Sequence, residues 1–140
     1  MSTASLVARH VDALLAGRLL AHRCSECRQI TFPMTTACTG CGSFHHEEIS
    51  LTGRGLLLFA THAGAPPAGP HPAETAPHVY CHVLLDEGVP VHAILLDVAA
   101  TPEAMADLYE RRNVIVDVAV PATADPLPLP AFRLRRPGRY

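Results

Sequence analysis

The chain has 140 residues, enough for one core and too few for several large ones. Its formal net charge is −2 and its 11 basic residues are all arginine, which excludes the general electrostatic pull toward nucleic acid or anionic membrane that a basic domain exerts. Hydrophobic residues make up 49%, so a packed core is expected and disorder is not.

The N-terminus lacks the basic start, apolar run and cleavage site of a secretory signal. No stretch is long and apolar enough to span a bilayer. A cytoplasmic setting is therefore expected, where thiols stay reduced. Residues 5–16 are predicted to be helical. Leu6, Val7, Val11, Leu14 and Leu15 recur at helical spacing, with Arg9, His10 and Asp12 on the other face. Ser2, Thr3 or Ser5 can cap the helix, and Gly17 can end it.

Two matched pairs follow, Cys24-Ser25-Glu26-Cys27 and Cys38-Thr39-Gly40-Cys41, with ten residues between them. Two CxxC turns at short spacing can bring four thiolates to one tetrahedral ion. Four thiolates leave no open position, so Cys24, Cys27, Cys38 and Cys41 are read as a structural metal site. Zn2+ is favoured, and iron also accepts four thiolates. Gly42 follows Cys41 where such a turn commonly needs positive φ; Arg28 holds the same place after Cys27 and is expected to fit it less well. Residues 24–44 offer only Ile30, Phe32, Pro33, Met34 and Phe44 for packing, too few to fold without a metal. His22, His45 and His46 nearby are read as solvated polar residues.

Residues 48–62 are predicted as one long strand bent at Gly53-Arg54-Gly55. Residues 63–77, rich in Pro, Gly and Ala, are expected to form a loop. Residues 78–85 and 89–98 are predicted as a hairpin turning at Asp86-Glu87-Gly88. Thr101-Pro102-Glu103 opens a short helix whose buried side is expected to be Met105, Leu108 and Tyr109. Residues 113–120 alternate, with Val114, Val116, Val118 and Val120 on one face. A Pro-rich loop over 121–130 and a short strand over 131–136 complete the chain. Five strands with a helix between the third and fourth fit a small closed barrel of the OB type; a sandwich is the alternative.

Few other residues point to chemistry. Cys81 is in phase with Val79, Val83 and Leu85, and reads as a small buried hydrophobe. His82 and His92 are expected to be cross-strand neighbours on the opposite face, with no carboxylate to orient a base. Asp86 and Glu87 read as a solvated turn. Arg54, between two glycines, and the C-terminal Arg133, Arg135 and Arg136 are candidate ligand- or partner-binding residues, because arginine forks onto phosphate well.

The order of a helix, CxxC-x10-CxxC-Gly-Ser, a Leu-Thr-Gly-Arg-Gly strand, an Asp86-Glu87-Gly88 hairpin and a closing Pro130-Ala131-Phe132-Arg133 resembles the zinc-ribbon/OB-fold acyl-CoA-associated proteins, a domain family of unknown function. The resemblance covers nearly the whole chain. It implies a mainly β fold, with a helix over 1–18, a rubredoxin-like zinc ribbon over 19–46 and a five-stranded OB barrel over 47–140. It further implies a non-catalytic accessory subunit that binds a thiolase-like or ketosynthase-like enzyme, or a hydratase, of acyl-CoA chemistry. Acyl-CoA is then a candidate ligand. Arg28 and Thr39 depart from the Gly and Pro common in the family. Two other classes stay open on the residues: a single-strand nucleic-acid-binding module, which the scarce aromatics and absent lysine disfavour, and electron transfer through a four-thiolate iron.

Overall fold

The computed structural model describes residues 5–62, 79–121 and 128–135. Helix α1 (Leu6–Leu15) starts at Ser5, whose hydroxyl accepts from the Ala8 N–H. It ends in a Schellman motif: the Gly17 N–H donates to Leu14 and the Arg18 N–H to Ala13, with Gly17 at φ +73. The buried side of α1 is not the expected apolar stripe. Ala13 and Leu14 are buried, whereas Val7 and Leu15 are exposed. His10, expected among the polar residues, packs edge-on against Phe32 with centroids 5.4 Å apart. Burial there lowers the His10 pKa. Helical spacing gives a stripe, but the neighbouring ribbon decides which part of it is covered.

Strands β1 (Leu20–Cys24), β2 (Ile30–Thr31) and β3 (His46–Ser50) form a small antiparallel sheet in the order β2-β1-β3. The predicted long strand over 48–62 is therefore two strands. Residues 46–50 pair with β1, and β4 (Arg54–His62) belongs to the barrel. The division falls at Gly53, which has φ +77. A Cβ there would lie 2.3 Å from Val118 Cγ1. Left-handed backbone and close approach both require glycine at this position. Gly53→Ala is expected to cost about 2 kcal/mol from backbone strain and the forced shift of Val118, read as a lower denaturant midpoint with an unchanged slope.

Strands β5 (Val79–Leu85) and β6 (Pro90–Leu95), helix α2 (Pro102–Glu110), and strands β7 (Ile115–Ala119) and β8 (Ala131–Leu134) complete the fold. The hairpin turns where expected, with Gly88 at φ +84 and its N–H donating to Leu85. Thr101 caps α2 by accepting from the Ala104 N–H, and Pro102 follows it. The closed barrel runs β4-β5-β6-β8-β7, with β6 and β8 parallel and the other pairs antiparallel. That connectivity, with α2 between the third and fourth barrel strands, is the OB arrangement, and it settles the sandwich alternative.

Val79, Cys81, Val83 and Leu85 of β5 point inward, as do Val91, Ala93 and Leu95 of β6. Each fully buried aliphatic side chain contributes about 1.5–3 kcal/mol. The same core continues through Leu19 and Ala21 of β1 to Leu14 of α1, so helix, ribbon sheet and barrel share one apolar interior. Val116 is buried and Val114 and Val118 pack against the core, but Val120, just past β7, is 52% exposed, so the expected valine face is covered except at its C-terminal end. The predicted loop over 63–77 and most of the one over 121–130 lie outside the described residues. No helix among the described residues is long and apolar enough to cross a membrane.

Candidate metal centre

The two CxxC turns approach each other at one end of the small sheet. Cys24 closes β1, pairing with His46, and its N–H takes the Gln29 carbonyl. The turns are built alike. The Arg28 N–H donates to the Cys24 carbonyl and the Gly42 N–H to the Cys38 carbonyl. Both residues have positive φ, +70 for Arg28 and +78 for Gly42. Arg28 thus carries the left-handed strain that its sequence position led one to expect. Arg28→Gly should relieve it and raise stability by about 0.5–1 kcal/mol, the loss of unfolded-state restriction offsetting part of the gain. Thermal denaturation of the metal-loaded protein reads this directly.

The four sulfurs lie within 4.8 Å of one another. Cys24 Sγ is 3.6 Å from Cys41 Sγ, and Cys27 Sγ is 3.5 Å from Cys38 Sγ. A tetrahedral ion with metal–sulfur bonds of about 2.3 Å sets its sulfurs about 3.8 Å apart, so the cluster has the right size. The backbone is arranged for negative sulfur. The Glu26 and Cys27 N–H groups each lie 3.4 Å from Cys24 Sγ, and the Gly40 N–H lies 3.3 Å from Cys38 Sγ. The Cys27 N–H, with help from the Glu26 N–H and against the upward push of burial, sets the Cys24 thiol down at about 6. The Cys41 and Gly40 N–H groups hold Cys38 below its usual value. At Cys41 the Ser43 N–H acts downward, but the three neighbouring thiols and burial push it up to about 12. The donor set and its dimensions fit a closed metal site. Cys24 and Cys38 are buried, while Cys27 and Cys41 stand at the surface.

Two neighbouring histidines are not solvated, contrary to the sequence expectation. His22 is buried and its Nδ1–H donates to the Thr35 carbonyl at 2.8 Å. Its ring stacks on that of His46 at 3.8 Å, and His46 Nε2 lies 3.1 Å from the Thr36 carbonyl. These contacts pin the 35–37 segment that leads into the second CxxC. The signal that could have exposed them is the β1–β3 register, which carries both rings to one side beside the site. Phe44, counted among the packing residues, is 70% exposed.

The other candidates are dispersed. Cys81 is buried, and burial pushes its thiol up to about 12, far from a poised nucleophile. His82 and His92 do pair across β5 and β6, stacked at 4.0 Å on the outer face. Arg54 lies 3.9 Å from Asp86. Arg133 Nε binds Asp97 at 2.7 Å, and Arg135 forks onto Asp117 at 2.8 and 2.5 Å. Asp117, followed by its general field and that of Asp86, raises the Arg135 pKa. Arg54, Arg133 and Arg135 thus already face carboxylates, and Arg136 lies outside the described residues. Glu87 is also engaged, accepting from the Thr52 N–H at 2.8 Å.

Residues 11–47 match the family model described as "ChsH2, rubredoxin-like zinc ribbon domain". This segment is similar to the ChsH2-type zinc ribbon. A solved structure described as "Ltp2-ChsH2(DUF35) aldolase" is 29% identical with a TM-score of 0.68, over 96% of this chain and 98% of that one. A protein of unknown function from the DUF35 family of Sulfolobus solfataricus shares the fold with a TM-score of 0.59 and 11% identity, over 95% of this chain and 87% of that one. Among curated proteins, none matches. The likeness seen in the sequence, a rubredoxin-like zinc ribbon joined to an OB barrel, therefore holds for both parts.

Proposed function

We propose that this chain is a non-catalytic accessory subunit of a thiolase-like or ketosynthase-like enzyme acting on acyl-CoA or another acyl thioester, with a structural Zn2+ in the ribbon. The observation that carries the reading is the end-to-end likeness to the ChsH2(DUF35) component of an aldolase named for two proteins. Cys24, Cys27, Cys38 and Cys41 are the ligands. The ion supplies a fixed tetrahedral cross-link, and with four thiolates it keeps no position for substrate.

Two features of the chain agree with a supporting role. Its one cysteine outside the ribbon is buried with a raised pKa. The arginines at 54, 133 and 135 are matched to carboxylates, which leaves them poorly placed to grip a phosphate. Single-strand binding gains nothing from the barrel exterior, since β5 and β6 carry no basic residue other than histidine.

Co-expression with a thiolase-like enzyme encoded in the same gene neighbourhood tests the proposal. The two should co-elute at fixed stoichiometry, and the enzyme's turnover of acyl-CoA should fall when this chain is withheld. A chain that elutes alone and leaves turnover unchanged would rule the proposal out.

A further inference from the structure

We propose that His82 and His92 form a second metal site, which takes a divalent first-row transition ion independently of the ribbon. His82 on β5 and His92 on β6 stand directly opposite each other. In the same ladder the Leu85 N–H donates to the Val89 carbonyl. Hydrogen-bonded and non-hydrogen-bonded pairs alternate along antiparallel strands. Counting back from Leu85, His82–His92 is a non-hydrogen-bonded pair, the kind whose side chains stand closest. Pro90, opposite Leu84, fits that alternation, because it has no N–H to give.

The two rings are parallel to within 8°, with centroids 4.0 Å apart, and both side chains are exposed. Such a stack can serve only to steady the sheet as a cross-strand contact. The other histidine stack shows what a structural pair looks like. There, one nitrogen of His22 and one of His46 are held by the Thr35 and Thr36 carbonyls. Among the described residues no hydrogen-bond partner meets a ring nitrogen of His82 or His92, whose rings touch only each other and Phe59. Two adjacent imidazoles are thus left with their nitrogens free.

Imidazole suits Zn2+, Ni2+ and Cu2+. Around a tetrahedral ion with metal–nitrogen bonds of about 2.0–2.1 Å, two nitrogens lie about 3.4 Å apart. The stack is close to that spacing. Tilting the nitrogen edges together needs rotation about χ2, a soft torsion in histidine. The closed barrel fixes the backbone beneath, since β5 is paired on both sides by β4 and β6, and β6 by β5 and β8. Neither strand carries Arg or Lys to repel an ion. The Phe59 ring, 5.6 Å from His82, walls one side against water. No third His, Cys, Asp or Glu among the described residues joins the pair. The ion therefore keeps positions for water or for a donor from outside the chain, unlike the closed ribbon site.

The test is calorimetric titration of the zinc-loaded full chain with Ni2+, chosen because Cu2+ oxidises thiolates. Wild type should take up Ni2+ while the ribbon keeps its zinc, and the ring signals of His82 and His92 should broaden together in NMR spectra as the paramagnetic ion binds. His82→Phe and His92→Phe preserve an aromatic cross-strand pair, so both should melt like wild type, yet each should lose the added ion. His45→Ala, which removes an exposed histidine outside the pair, should retain it. A wild type that takes up no Ni2+, or takes it up only as zinc leaves the ribbon, overturns the site. So does either phenylalanine variant binding Ni2+ as wild type does.

Discussion

Cys38→Ser is expected to empty the metal site and unfold the ribbon in one step. Cys38 is buried at the centre of the second turn, 3.5 Å from Cys27 Sγ, with the Gly40 N–H aimed at its sulfur. Serine places a shorter, harder, protonated oxygen there and leaves three thiolates. Affinity for the ion should fall by several orders of magnitude, because ligand deprotonation and soft-donor bonding are lost together. The ribbon has little to replace that cross-link. Its own apolar cluster is Ala13, Leu20 and Met34 with Leu6 beside them. Metal per chain should drop from about one to near zero, and proteolysis should cut within 24–46. Chelation of wild type should give the same fragments.

The consequence extends beyond the ribbon. Leu19 and Ala21 of β1 belong to the barrel's core, and the Leu51 N–H donates to the Leu19 carbonyl. A ribbon that unfolds therefore uncovers one end of the barrel, and partner binding should be lost along with the metal. A Cys38→Ser protein that retained one metal and bound its partner normally would show that the cross-link is dispensable.

What the sequence made legible was chemistry that is local in the chain. The cysteine pairs, the Ser5 and Thr101 caps, the Gly17 stop and the Asp86-Glu87-Gly88 turn each depend on residues a few positions apart, and each stands where it was read. The barrel order followed from strand count and the place of α2. The failures concern contacts made across elements. Residues 46–62 carry one strand-like pattern, yet the chain crosses from one sheet to another at Gly53, a change visible only when Val118 is seen against it. His10, His22 and His46 read as polar because histidine's burial depends on who stands opposite; Phe32, Thr35 and Thr36 supply the answer. Tyr109 was assigned to the buried side of α2. It is 57% exposed, with its ring edge-on to Phe59 and its hydroxyl on the β4 edge. The arginines were picked out as free cations, since sequence does not reveal that Asp97 and Asp117 lie within reach of Arg133 and Arg135.

Phe132→Ala should be the most damaging single change in the barrel. Phe132 is 0% exposed and sits on β8, the strand that closes the cylinder. It faces Leu95 of β6 in the parallel pair and Val118 of β7 in the antiparallel one. Truncation removes a whole ring from between two strands that meet nowhere else in the barrel order. A buried Phe→Ala change costs about 3–5 kcal/mol, depending on how far the walls collapse. Whole domains are stable by about 5–15 kcal/mol, so this removes a large share. The melting temperature should fall by about 10 °C or more. Phe59→Ala provides the internal comparison: the same side chain, half-exposed on the outside of β4, should cost about 1 kcal/mol or less. Phe132→Ala should lower the melting point first and lose its partner only where the barrel has begun to open. Equal stability losses at the two positions would contradict the packing that buries Phe132 and leaves Phe59 half-exposed.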